Sequence, residues 1–402
     1  MAPGSATPQP PTLRHLQHEL QSASDDQLVR VVHLLDGLET RGSADGMIAP
    51  MRGRLAQLRP ARRLTFGRLL FTPADPLVVP APDWSRGGLA VPRTALPPLA
   101  AQLRAELGDL ATEVAAIIQG GRSEDTALVL RAGRKLWPAA SAALDRLGPP
   151  SGWSEATGLT AADHTAIARC AACVLSEAVW IQTSMHAAAE GLGPDPEDLR
   201  AWLDVAVSLH PEPPGALMAV VMARLPGAAA LVGALPPQAA HGAAQVEPAI
   251  DYLLGRLEAE PRRGYDPVEE ATTIQRAAAL LDALDAPGPG HRPSRKPRTE
   301  RLRRTLIERC RTRFTDRLTR EVLAPLAEAA TQGEIAALEE TARGLRRLES
   351  AGRRLGGGDH YDRTLRAAAR EIGEGGSGSA VERARLVEIL AGPDAALALL
   401  QS

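Results

Sequence analysis

Apolar residues recur at helical spacing along most of this chain. From Ser24 onward, Leu28, Val31, Val32, Leu35 and Leu38 fall at i, i+3, i+4, i+7 and i+10, which is one face of a helix with 3.6 residues per turn. Ser24 with Gln27 three positions on has the form of a capping box. Asp25 and Asp26 sit where the helix dipole favours acids. The pattern predicts a helix from Ser24 to Gly42, an earlier one over 12–21, and a disordered tail over 1–11. Further helices are predicted over 93–119, 124–147, 160–190, 196–209, 214–235, 246–259, 267–284, 299–330, 333–355, 360–373 and 380–400, with one or two shorter ones over 47–71. Ser123 and Thr160 read as N-caps and Asp359 as another. Trp137–Pro138 reads as a kink or split, and Gly148–Gly158 as a loop. No period-2 alternation and no fixed repeat period is present. The fold class predicted is all-α: a multi-helix array of antiparallel helices joined by short turns.

One stretch interrupts the pattern. "FTPADPLVVPAPDW" opens a segment with seven prolines between Pro73 and Pro98. Each proline lacks an amide donor and biases its predecessor away from helix, so this strap holds at most a short strand. It is nevertheless rich in large apolar side chains. Phe66, Phe71 and Trp84 lie in or beside it, in a chain with three Phe and five Trp, and Leu77, Val78 and Val79 lie between them. A disordered linker does not concentrate scarce rings in this way. The strap is therefore expected to cover an apolar face of neighbouring helices. Phe66, Leu69 and Leu70 share one such face, and Gly67 suggests close backbone approach. Six arginines and no acid lie between Gly46 and Ala74. A second role for the region follows: a partner-binding surface of Phe66, Phe71 and Trp84, rimmed by Arg62, Arg63 and Arg68.

Composition changes this picture in three ways. Aromatic residues make up only 3% of the chain, so Ala and Leu must fill the core by close helix approach. Of 46 basic residues, only Lys135 and Lys296 are lysine, a bias that weakens any arginine-specific argument. The net charge is −2, yet residues 98–285 hold 13 basic and 24 acidic side chains, and residues 286–320 hold 12 and 3. An acidic middle is followed by a basic insert. The organisation predicted is a tail (1–11), an N-terminal helical region with the strap (12–98), an Ala-rich acidic body (99–285), a Pro/Gly linker (286–298) that excludes packed structure, and a C-terminal Arg-rich helical hairpin with tail helices (299–402).

The three cysteines, an odd number without framework spacing, predict a reducing, cytoplasmic setting. The opening "MAPGSATPQPPTLRHLQ" lacks the charge and hydropathy plan of a signal peptide. The most apolar stretch, 213–246, is Ala- and Gly-rich with internal prolines, and reads as buried short helices rather than a membrane span.

Chemistry-bearing motifs are sparse. Cys170 and Cys173 form one CxxC deep inside a helix, without the second ligand pair zinc requires and without the strand-then-helix placement of a redox pair. They read as core filling. "HLQH" at His15 and His18 reads as a solvated face. The glycine clusters "GGRSEDT" and "RRLGGGDHYD" match no phosphate loop, and neither HExxH nor GxSxG is present. Dispersed acid pairs such as Asp25–Asp26 and Glu269–Glu270 read as first-turn residues. No catalytic residue, metal or cofactor is predicted.

The basic insert offers Arg295, Lys296, Arg298, Arg301 and Arg304 to nucleic acid or an acidic partner. At about 100° per residue its helical arginines scatter round the axis instead of forming one stripe. Leu302, Leu306, Cys310, Phe314, Leu318, Val322 and Leu326 make an unbroken i+4 row that drifts about 40° per step. The arginines are expected first to pair internally, with acids of the following helix or of the acidic middle. The functional expectation is a non-enzymatic helical scaffold or adaptor that binds a protein partner. Nucleic-acid binding through 292–317 is the alternative, and an enzyme using His164, Glu177 or His186 in an all-helical pocket is the second.

Overall fold

The computed structural model describes residues 20, 23–36, 51, 55, 62–209, 214–225, 227–234, 240–259, 267–287, 292–328, 332–375 and 379–401. The predicted tail, the first helix apart from residue 20, His15 and His18, and most of 37–61 lie outside them. The fold is an all-α array with one two-stranded ladder among the described residues. The chain divides into two compact units. One is Met1–Leu192 with His210–Val220 and Pro261–Tyr265, and the other is Gly193–Leu209 with Val221–Glu260 and Asp266–Ser402.

In the first unit, α1 (Asp25–Asp36) starts at the predicted box. Ser24 Oγ accepts from the Gln27 amide at 3.3 Å, and Gln27 Oε1 accepts from the Ser24 amide at 2.9 Å. Leu28 and Val32 pack with Met51 and Leu55. Helix α2 (Phe66–Phe71) is capped by Thr65, whose hydroxyl accepts from the Arg68 amide. It ends where Pro73 cannot continue it.

The strap follows as 3-10 turns and two strands, β1 (Val78–Val79) and β2 (Val91–Pro92), paired in parallel with Val78 opposite Val91. Parallel pairing needs a long crossover, which the 80–90 loop supplies. Leu77, Val78, Val79 and Val91 are buried, so the strap covers helices as expected.

Helix α3 (Leu96–Ile117) was expected to be uniform, but Gly108 breaks it with φ of 46°, a left-handed geometry that favours glycine. Helix α4 (Thr126–Leu144) is capped by Asp125, whose carboxylate accepts from the Leu128 amide at 2.9 Å. The predicted cap Ser123 instead donates its amide to Arg62. The helix runs through Pro138 as one element, with no split. The predicted loop at 148–158 contains a short helix, α5 (Trp153–Thr157), bounded by left-handed Gly152 and Gly158.

Thr160 caps α6 (Ala161–Ser176) through a reciprocal box with Asp163. Replacing Thr160 with alanine should cost about 1 kcal/mol, read as a lower denaturant midpoint at unchanged slope. The predicted single helix to residue 190 is in fact two. The chain leaves helical geometry at Glu177, and α7 (Ala178–Ala189) continues after a bend of 53°. The core lies where α4 packs against α3, α6 and α7, with α2 against α3 and α4. Leu69, Leu70, Leu99, Leu103, Leu136 and Trp137 are fully buried there. A Cβ at Gly67 would meet Ala100 at an ordinary 3.6 Å, so glycine is not required for that approach.

The second unit begins with α8 (Pro196–Leu209). The division between units falls inside α9 (Pro214–Arg224), whose residues from Ala216 to Val221 are fully buried. Then come α10 (Leu231–Ala234), α11 (Ala240–Glu258), α12 (Pro267–Asp285) and α13 (Lys296–Arg317). The predicted linker is not bare: Pro293–Arg295 form a 3-10 turn and α13 starts at Lys296. A wide turn over Leu318–Leu323 leads to α14 (Ala324–Glu328), α15 (Gln332–Leu355), α16 (Gly358–Glu374), α17 (Ala380–Ala391) and α18 (Pro393–Gln401).

The i+4 row from Leu302 to Leu326 is buried throughout. A row spaced by four drifts off a 3.6-residue face. The i→i+5 turn at 318–323 winds more widely and turns the drift back, so Leu318, Val322 and Leu326 stay on the core side. Gly357, with φ of 82°, occupies the N-cap of α16 instead of Asp359. Helices α12 and α15 pack along their length, and Tyr361 inserts between neighbours with its ring edge-on to Phe314. A Cβ at Gly352 would lie 2.1 Å from the Tyr361 hydroxyl, and that ring is fully buried. Gly352→Ala is therefore expected to destabilise by about 1–3 kcal/mol, measured by denaturant unfolding.

Candidate functional site

The polar cluster with the most developed geometry in the first unit joins the strap to α6. Thr160 and Asp163 begin it as a local helix cap: the Asp163 carboxylate accepts from the Thr160 amide at 2.9 Å and from its hydroxyl at 2.7 Å. Arg86, at the outer turn of the strap, reaches the same carboxylate with two parallel bonds. Nε donates to Oδ1 at 2.6 Å and Nη2 to Oδ2 at 2.8 Å. This is the fork geometry guanidinium favours. The Arg86 side chain is 70% exposed and that of Asp163 only 2%. The bonds from Arg86, then those from Thr160, hold the Asp163 carboxyl well below the usual carboxylate range.

His164 follows directly and is fully buried, edge-on to Trp153 with ring centroids 4.8 Å apart. Neither of its ring nitrogens has a hydrogen-bond partner in the protein. Burial pushes its pKa down. Trp153 Nε1 donates to the Thr160 carbonyl at 3.1 Å, which ties α5 to the cap of α6. Of this cluster, the sequence pointed to Thr160 as a cap and to His164 separately. It missed Arg86, whose partner lies 77 positions away.

The expected partner surface is only partly at the surface. Phe66 and Phe71 are buried at 7% and 6% exposure, so they clamp α2 to its neighbours and are not available to a partner. Trp84 is half-buried and donates from Nε1 to the Ala90 carbonyl within the strap. Arg68 donates to the Arg63 carbonyl at 2.7 Å, and burial lowers its pKa. Arg62 and Arg63 are exposed, and their backbone pairs with the 121–123 turn. The structure thus assigns Phe66 and Phe71 to the core, leaves Trp84 and Arg68 half-buried, and leaves Arg62 and Arg63 at the surface.

The basic insert is largely answered from within. Arg295 pairs with Glu247, Arg298 with Asp251 at 2.7 Å and Glu258 at 2.8 Å, and Arg303 with Asp282 at 2.9 Å and Asp285 at 3.1 Å. The acids belong to α11 and α12, in the acidic middle. Although α13 lies against α15 as well as α12, Arg298, Arg303, Arg313 and Arg317 reach acids of α11 and α12 and not the following helix that the sequence also suggested. Lys296 approaches Glu300 at 4.0 Å, and Arg301 and Arg304 are exposed. Along the core, buried glutamates are each straddled by two arginines: Glu270 by Arg313 and Arg317, Glu339 by Arg343 and Arg385, Glu349 by Arg346 and Arg353.

The thiols are buried and inert. Burial pushes Cys170 up to about 11 and Cys173 and Cys310 up to about 12, far from the range of a reactive thiolate. His186 is half-exposed beside Glu190, near the C-terminal end of α7. His164 lies at the start of α6, so the bent pair separates them along the chain. Among the described residues, no group of three or more His, Cys, Asp or Glu is placed to hold a metal ion. Likewise, no single described helix is long and apolar enough to cross a membrane.

Fold and cluster together define a multi-helix all-α protein with a latched strap. Compared with family models, curated proteins and solved structures, the chain matches none.

Proposed function

We propose that the protein is a non-enzymatic helical scaffold or adaptor that binds another protein through helix faces left apolar at the surface. The observation that carries this reading is α18. Its nine residues hold one charge, Asp394, and only Ala396 is buried, while Leu397 and Leu400 are 55% and 51% exposed. On the adjoining α17, Val381 is 62% exposed. On α8, Val205 and Leu209 lie one turn apart at 59% and 65%. Single exposed leucines are ordinary, but the i,i+3 pair on the nearly uncharged α18 and the i,i+4 pair on α8 have the form of helix-in-groove anchors. Internal pairing of the basic helix favours this reading over nucleic acid, because the phosphates would compete with carboxylates already in place.

The test uses the full chain with Leu397→Glu and Leu400→Glu together, compared with wild type by chemical crosslinking, sedimentation and mass spectrometry of what co-purifies. A wild-type complex weakened at least tenfold in the variant, about 1.4 kcal/mol, is the expected result. A wild-type protein that stays a partner-free monomer, or a complex indifferent to both charges, overturns the reading.

A further inference from the structure

We propose that the strap is a pH-gated latch: protonation of His164 unseats Arg86 from Asp163 and frees the strap from α5 and α6, uncovering Trp153 and the first turn of α6. The proposal is independent of the scaffold reading above.

The latch has a releasable end and a sensing end. Its releasable end is Arg86, which sits on the exposed 80–90 loop and makes two short bonds to a buried carboxylate. Such a contact can open without disturbing the helices, because β1 pairs with β2 inside the strap itself. The sensing end is His164, one residue beyond that carboxylate. A neutral imidazole offers one donor and one acceptor, and here the protein uses neither. A buried polar group in that condition raises the free energy of the closed state, and a buried imidazolium would raise it much further.

The surroundings offer the cation little. Trp153 meets the ring from α5, and β2, which packs on α6, is the uncharged Val91–Pro92. On the other elements around α6, Glu155 of α5, Arg131, Arg134 and Lys135 of α4, and His186 of α7 are exposed. Arg169 of α6 is exposed as well. The carboxylate nearest in the chain is Asp163, already committed to Arg86 and Thr160. An imidazolium at position 164 can draw on it only in competition with Arg86, or can reach water by displacing its cover, the Trp153 ring and the β2 strand packed on α6. Both routes open the latch. Burial, which lowers the ring's pKa, acts in the same sense.

The direction in pH follows. The closed state holds His164 neutral and so binds fewer protons than the open state. Closure is therefore fully favoured above the ordinary imidazole range, near about 6.5, and weakens as pH falls through that range toward the depressed value.

Hydrogen–deuterium exchange of the full chain tests this at about pH 7.5 and about pH 5.5, with rates corrected for the intrinsic pH dependence. Peptides covering 78–95 and 153–168 should exchange roughly tenfold faster at the lower pH, while α15 is unchanged. His164→Leu should stay protected at both values, and Arg86→Gln should exchange fast at both. Strap exchange that ignores pH in the wild type overturns the proposal. So does a His164→Leu protein that opens on acidification as the wild type does. As a check independent of that variant, the His164 ring is titrated by NMR in wild type and in Arg86→Gln. Its midpoint should rise toward the ordinary value when the latch is cut, and an identical titration also overturns the proposal.

Discussion

Replacing Trp137 with alanine is expected to destabilise the protein by about 3–5 kcal/mol, a large fraction of the stability of a typical domain. The reason begins with Pro73. In a helix, the carbonyl of Leu69 would accept from the amide four residues on, and that residue is Pro73, which has none. The carbonyl is in the core, and Trp137 Nε1 donates to it at 2.9 Å from α4. The indole itself is fully buried, folded over Gly133, where a Cβ would stand 2.3 Å from the ring. Alanine would thus leave both a large cavity and an unanswered carbonyl. Trp137→Phe separates the two effects: it keeps most of the packing and loses only the donor. It should cost roughly 1–3 kcal/mol. Denaturant unfolding of both variants checks the split. A Trp137→Phe protein as unstable as Trp137→Ala would show that the hydrogen bond, not the ring, carries the site.

Removing Glu349 is expected to have the next largest effect, a loss of about 3 kcal/mol in Glu349→Ala. Its side chain is 3% exposed and lies between Arg346 at 2.8 Å and Arg353, which also reaches Asp362 at 2.6 Å. Taking away the carboxylate leaves two guanidinium groups that shared it, with Asp362 still bonded to Arg353. Both arginines are about a third exposed, so water relieves part of the penalty and the loss falls at the low end for a broken buried pair. A double-mutant cycle of Glu349→Ala with Arg353→Met isolates the pair. A coupling near zero would make this an ordinary surface interaction and sink the estimate.

Much of the fold was legible because helices are local. The Ser24 and Thr160 caps lie where serine, threonine and a side chain three residues on put them. The i+4 row from Leu302 to Leu326 is the core of its helix, as its spacing implies. The thiols of the CxxC are buried filling, as expected of small side chains on an apolar helix face. The misread positions share a feature. Asp125 caps α4 two residues beyond Ser123, in a turn held by the bond from the Ser123 amide to the Arg62 carbonyl, distant in sequence. Glu177 ended a helix that every local signal continued. The strap's rings were legible as unusual, but their burial depended on the helices around them.

The sequence by itself determined that this chain is helical, where most helices start, and that one proline-rich segment must stand apart. Those outcomes rest on hydrogen bonds and capping contacts between residues three or four apart, and such pairs are visible in any window of the chain. Only the tertiary structure decided that Trp137 answers the carbonyl stranded by Pro73, that Arg86 latches onto Asp163, and that the basic helix discharges onto α11 and α12. Each of these joins groups far apart in sequence, and their pairing is fixed by how helix faces pack, which no local pattern encodes.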